Sequence, residues 1–246
     1  MSRALDAGGV ADLPMIDRLV ADLVAEDPRR AAVFERFAID YCCGGRVPLA
    51  QACRDHNLDP ATVMSMLADA VNDDEDVRNW HEASIAELVA NIVEVHHMYL
   101  DSELPRIAAL AHKVAKAHGA QEPSLLEVER VVNALVEELQ THTAQEEQDT
   151  FPLCITAGAG RSDEDERLAD ALGALVLDHD ETAGHLRRLR ELTHDYEPPV
   201  QACTSWRALL DGLRRLELDT HRHVHKENHV LFPKVRDLLN STPSDD

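Results

Sequence analysis

The chain has 246 residues, 44% of them hydrophobic but only 4% aromatic, which suffices for one large or two modest domains with cores of Leu, Val and Ala. Its formal net charge of −22 repels phosphate backbones and anionic head groups, and this argues against nucleic acid or membrane partners. No apolar run is long enough to span a bilayer and the opening MSRALDAGGVADLP lacks an apolar signal region, so the expected location is the cytoplasm, with the five cysteines as reduced thiols.

Residues 1–76 read as a small helical domain closed by an acidic linker. Asp27-Pro28 and Asp59-Pro60 each set an N-cap before a proline at the first helical position. The helices they open carry Val33, Phe34 and Phe37, then Val63, Met64, Met66 and Leu67. Between them, Tyr41-Cys42-Cys43-Gly44-Gly45 places two thiols beside two residues free to take positive φ, so a turn with accessible Cys42 and Cys43 is expected. A further helix starts at Pro48 and runs through Cys53. Two readings of the cysteine pair stand side by side: small residues packed beside a turn, or thiols active in redox or transient metal transfer. The run Asn72 to Asp76, NDDED, marks the domain boundary.

Residues 77–246 then carry four long helical patterns, so the fold class is all-α: a four-helix bundle preceded by a small helical domain. The first, about 83–118, bears Val89, Val93, His97, Leu100, Leu104 and Ile107 at intervals of three and four, with a kink expected at Pro105. The second opens with Ser124-Leu-Leu-Glu127, which matches a capping box, and its inward line is Val128, Val132, Leu135, Leu139, His142 and Glu146. After a loop at Gly158 to Asp163, the third carries Leu168, Leu172, Leu175, His179, Leu186 and Leu189. The fourth shows Leu209, Leu213, Leu216, Thr220, His223, Glu227 and Val230, and Ser241 to Asp246 forms a frayed tail.

Two stretches, HTAQEEQDTFP from His142 and HVHKENHVLFP from His223, share the pattern His, three residues, Glu, four residues, Phe-Pro. The box histidines lie 81 residues apart (223 − 142), and a lone helical pair, His97 and His179, lies 82 apart (179 − 97), so the bundle consists of two similar halves. Each box puts an imidazole and a carboxylate on one helical face, and its proline is expected to break or kink the helix just before it, so that the boxes look like helix ends. One histidine on an apolar stripe is ordinarily a packed core residue. Four helices each carrying one, two of them with a glutamate as well, would bury charge at a cost of several kcal/mol per group unless a cation is present. Six N/O donors without cysteine suit two iron or manganese ions bridged by Glu146 and Glu227, with two histidines on each. Of the other histidines, His96 is the one competitor, whereas His225 points away from His223. Asp178 or Asp180 is the expected acceptor near His179.

These motifs carry a resemblance. The segment FERFAIDYCCGGRVPLAQACRDHNLDP resembles the N-terminal domain of the Repair of Iron Centres family, and the second domain looks like that family's hemerythrin-like bundle. The match runs from about Leu13 to Val235 and includes Leu104-Pro105, Glu146 to Pro152, His179 to Glu181, Ser205 to Leu209 and His223 to Pro233. It departs at Asp149-Thr150, where the family has an apolar pair. Carried over, the metal ligands are His97, His142, Glu146, His179, His223 and Glu227, and the paired cysteines are Cys42 and Cys43. The cofactor implied is two non-haem iron ions with carboxylate and oxo bridges. The function implied is repair of iron–sulfur clusters after nitrosative or oxidative stress, by iron delivery, by reduction of nitric oxide to nitrous oxide, or by both. Damaged iron–sulfur proteins and NO or O₂ are then the partners, and self-association into a homo-oligomer is left open. The alternative is a hemerythrin-type carrier or sensor of O₂ or NO, for which two accessible thiols would have no use.

Overall fold

The computed structural model describes residues 13–71, 80–157 and 162–241. Among them every regular element is helical, and the single extended pairing is an isolated bridge between Leu19 and Pro48. The chain divides into two compact units, Met1–Ala83 and Ser84–Asp246. The acidic run Asn72 to Asp76, with the boundary expected after it, lies outside the described residues.

The first unit contains α1 (Val20–Glu26), α2 (Ala31–Arg36), α3 (Leu49–Asp55) and α4 (Pro60–Val71), with single 3₁₀ turns at Met15–Asp17 and Pro28–Arg30. Both predicted caps form: the Asp27 carboxylate accepts from the Arg29 amide and that of Asp59 from the Thr62 amide. Val20, Leu23, Phe34, Leu49, Cys53 and Leu67 are completely enclosed. Burial of each large apolar side chain of this kind contributes about 1.5–3 kcal/mol. Two backbone hydrogen bonds tie the start of α1 to the segment before α3, from Val20 N–H to Val47 O and from Ala21 N–H to Gly45 O. The cysteine turn is therefore stitched to α1.

In the second unit, α5 (Ile85–Asn91), a π-helical turn (Ile92–His97) and α6 (Met98–His118) follow one another without a break. The next rod is α7 (Ser124–Gln145), a π turn (Glu146–Thr150) and α8 (Phe151–Thr156). Then come α9 (Ser162–Leu192) and a last rod of α10 (Thr204–Lys226), a π turn (Glu227–Leu231) and α11 (Phe232–Ser241). Helix α6 packs on α7 and α10, and α7 packs on α9, around a core that includes Leu104, Ile107, Val132, Leu139, Leu189 and Leu213. The inward residues read from the periodicity of α7, α9 and α10 are all buried. The predicted loop at Gly158 to Asp163 lies partly outside the described residues, as do 242–246 of the tail, and Ser241 itself still belongs to α11.

Two expectations are corrected. Helix α7 is capped by Pro123, so Ser124 is already helical; its hydroxyl donates to Glu122 at 3.0 Å, while Glu127 pairs with Arg130, and no capping box forms there. The complete box lies at Ser84 and Glu87, ahead of α5. Neither motif proline ends its helix, because a π turn precedes each; the wider turn eases the contact between the proline ring and the preceding turn's carbonyl, and helix resumes at Phe151 and Phe232.

Candidate metal centre

The three π turns all bear on one place. His97 ends the first, Glu146 begins the second and Glu227 begins the third. A π turn shifts the helical register locally, and here it falls where a polar side chain must aim into the bundle. From α9 comes His179, from α7 His142 and from α10 His223. All six predicted residues converge in the interior, with Glu146, Glu227 and His223 fully enclosed.

Their arrangement is paired. His97 Nε2 lies 3.2 Å from His223 Nε2, and His142 Nε2 lies 3.1 Å from His179 Nε2. Glu146 offers Oε2 to the first pair, 3.4 Å from His97 Nε2, and Oε1 to the second, 3.3 Å from His142 Nε2. Glu227 does the same, with Oε1 2.9 Å from His223 Nε2 and Oε2 3.1 Å from His179 Nε2. Two groups of four donors result, His97, Glu146, His223 and Glu227, and His142, Glu146, His179 and Glu227; both carboxylates belong to both groups.

The donor set fits a cation. Two imidazole nitrogens facing each other share at most one proton, and both Glu146 oxygens are buried without a hydrogen-bond partner. Burial, and then the neighbouring Glu227 charge, push Glu146 up to about 8. Burial acts in the same sense on Glu227, but the His223 and His179 imidazoles outweigh it and hold that carboxyl well below its ordinary value. Without a cation one carboxyl of the pair therefore keeps its proton, and a bound cation removes the conflict.

The outer nitrogens are supported unequally. His97 Nδ1 lies 2.8 Å from Glu147 Oε1 and His179 Nδ1 lies 3.0 Å from Asn228 Oδ1, contacts that leave each Nε2 lone pair facing inward. His142 Nδ1 faces Asp178 Oδ2 at 3.7 Å. Asn228, not Asp178 or Asp180, thus serves His179. Glu147 and Asn228 escaped sequence reading although each directly follows a predicted carboxylate ligand. The phenylalanines of the two motifs also acquire a role: Phe151 stacks on His97 at 5.7 Å and Phe232 on His179 at 6.1 Å. At the position where the sequence departs from the family pattern, Thr150 packs inside and Asp149 faces solvent. His96, the competitor, is buried yet outside both groups, its ring nitrogens taken by Asp219 and Lys226.

Cys42 and Cys43 lie in the first unit. The Asp40 carboxylate accepts from both their amides and lies 3.2 Å from Cys42 Sγ, and the two sulfurs are 3.7 Å apart. Only Cys43 is partly accessible; Cys42 is 2% exposed. Its hydrogen bond to Cys43, burial and the Asp40 charge hold the Cys42 thiol well above its ordinary range. The turn is packed rather than open: a Cβ at Gly45 would stand 2.4 Å from the Tyr41 carbonyl oxygen, so close approach, not positive φ, requires that glycine.

Comparison with known proteins matches residues 88–235 to a Hemerythrin HHE cation binding domain and residues 16–71 to a Domain of Unknown function (DUF542). The chain is 33% identical to the iron-sulfur cluster repair protein ScdA of Staphylococcus haemolyticus, over 89% of this chain and 97% of that protein. It is also 33% identical to the iron-sulfur cluster repair protein YtfE of Edwardsiella ictaluri, over 89% and 96% respectively. The chain belongs to the ScdA/YtfE family. The similarity to ScdA and YtfE takes in both units, and the hemerythrin match spans all six clustered residues. No helix among the described residues is long and apolar enough to cross a membrane.

Proposed function

We propose that this chain is a di-iron protein that repairs iron–sulfur clusters damaged by nitrosative or oxidative stress, delivering iron, reducing nitric oxide, or both. The observation that supports it most is the division of each carboxylate between two imidazole pairs, which suits two adjacent ions bridged by Glu146 and Glu227 better than one. His97 and His223 would hold one ion, and His142 and His179 the other. Iron held there supplies redox chemistry and exchangeable coordination positions for a diatomic ligand such as NO. The protein's own residues set the conditions: Glu147 and Asn228 fix two imidazoles for ligation, and Phe151 and Phe232 exclude water from their faces.

In this reading residues 1–76 form the domain that carries Cys42 and Cys43, and residues 77–246 form the iron-binding domain. Cys43 takes the exposed role in transfer to or from a client protein, with Cys42 as its sulfur neighbour. The site of action is the cytoplasm, where damaged clusters occur. The test is reactivation of an NO-inactivated [4Fe–4S] enzyme by the iron-loaded chain, with the iron-free chain as control. Recovery with the loaded form alone is expected; equal recovery with both, or none with either, contradicts the proposal. Nitrous oxide evolution in the presence of a reductant, measured separately, tells NO reduction from iron delivery.

A further inference from the structure

A clustered imidazole keeps Nε2 aimed at a shared point only if its ring plane is fixed. His97 and His179 each have an acceptor at Nδ1 and a phenylalanine on the face, and His142 has Asp178 opposite Nδ1. Neither His142 Nδ1 nor His223 Nδ1 has a hydrogen-bond partner, but His142 has the Asp178 carboxylate 3.7 Å away, whereas His223 is fully enclosed with a ring on its face. That ring is His96, parallel to within 3° at a centroid distance of 5.3 Å.

The internal repeat makes this placement intelligible. His97 and His179 occupy equivalent positions, so the residues preceding them, His96 and Asp178, are equivalent too. Asp178 faces the box histidine His142, and His96 faces the box histidine His223. One location in each half thus faces the other half's imidazole, with a carboxylate in one case and a stacked ring in the other.

We propose that His96 is a positioning residue that fixes the His223 ring by parallel stacking, and that Asp219 and Lys226 clamp His96 for this purpose. Asp219 Oδ1 lies 2.9 Å from His96 Nδ1, and Lys226 Nζ lies 3.2 Å from His96 Nε2. An ammonium only donates, so Nε2 accepts and Nδ1–H donates to Asp219, which selects one tautomer. Lys226 also donates to Asn91 Oδ1 and is anchored on its far side. With both nitrogens engaged, His96 supports the centre without joining it.

The iron part of the test rests on the proposed metal centre, but its first readout does not. Side-chain ¹⁵N NMR of the metal-free full chain should show one ordered His223 ring in the wild type, and in His96→Phe, which keeps the stacked ring but loses both clamping contacts, a broadening smaller than in His96→Ala. His96→Ala should broaden the His223 signals or mix its tautomers. Asp219→Ala, which loosens the clamp and leaves both rings in place, should broaden them too. In the iron-loaded chain, His96→Ala should yield iron to a chelator on the order of tenfold more readily, as loss of ligand support commonly does, while His96→Phe falls between it and the wild type. Unchanged His223 signals in both His96→Ala and Asp219→Ala overturn the proposal, as does a folded His96→Phe that behaves like His96→Ala. A wild type that binds no iron would refute the di-iron reading and leave the NMR test standing.

Discussion

At the scale of single residues, Glu146 and Glu227 decide whether the centre is one site or two neighbouring ones. Each gives one oxygen to each imidazole pair, so neither can be removed from one group alone. Glu146→Ala or Glu227→Ala should therefore lose both ions, since two cations would repel across a site short of a bridging anion; metal analysis of the purified variants checks this, and one ion retained at full occupancy would contradict it. Glu146 also gives the metal-free protein a pH dependence. Its folded value, raised from 4.5 to about 8, contributes stability that is complete below the ordinary carboxylate range and is lost as pH rises through about 8. Compared with Glu146→Gln, the metal-free wild type should become progressively less stable from about pH 4.5 to pH 8, by urea titration at each pH. A difference between the two that stays constant across that window would show that Glu146 ionises as freely as an exposed carboxylate.

At the scale of elements, the helices were legible because apolar residues recur at three and four and the ligands continue the same stripes: Leu135, Leu139, His142 and Glu146 on α7 and its π turn, and Leu213, Leu216, Thr220, His223 and Glu227 on α10 and its π turn. The π turns were not legible, since they add one residue to a turn without altering composition; proline at positions 152 and 233 signalled a break where the structure has a widened turn. Caps were half legible. Ser124-x-x-Glu127 and Ser84-x-x-Glu87 have the same spelling, but only at Ser84 is the backbone extended, at φ −67° and ψ 160°, so that the hydroxyl can reach the third amide. Ser84→Ala should cost about 1 kcal/mol of stability by denaturant titration, as loss of a working N-cap does. Ser124→Ala, at an already helical position, should be close to neutral. Equal losses in the two variants would refute the assignment of the caps.

At the scale of the molecule, the chain joins a compact four-helix bundle to a smaller helical unit of separate core. The ligand set was readable because the bundle repeats itself, so that six weak signals at matching intervals became one strong one. What surrounds it, Glu147, Asn228, Asp178 and His96, was harder to read: these residues neighbour the ligands in both halves, but which imidazole each meets is decided across helices, so Asp178 was expected at His179 and faces His142 instead. The exposure of the cysteine turn was only partly readable: Cys42 is buried with Asp40 at its sulfur, and Gly45 packs against Tyr41 and Ala21, neither of which follows from the string Cys-Cys-Gly-Gly. Since the six clustered residues all lie in the bundle, Cys42→Ser/Cys43→Ser should retain full iron content while losing repair of an NO-inactivated cluster enzyme. Iron lost along with repair would make the cysteines structural, and full repair would reject a thiol step.

The proposed centre would hold two irons across shared carboxylates in one buried site. Anomalous scattering at the iron edge from crystals of the iron-loaded protein tests it most directly. Two peaks per chain are expected, one between His97 and His223 and one between His142 and His179, each within bonding distance of both Glu146 and Glu227. A single peak, or scattering at the zinc edge with none at the iron edge, would contradict it.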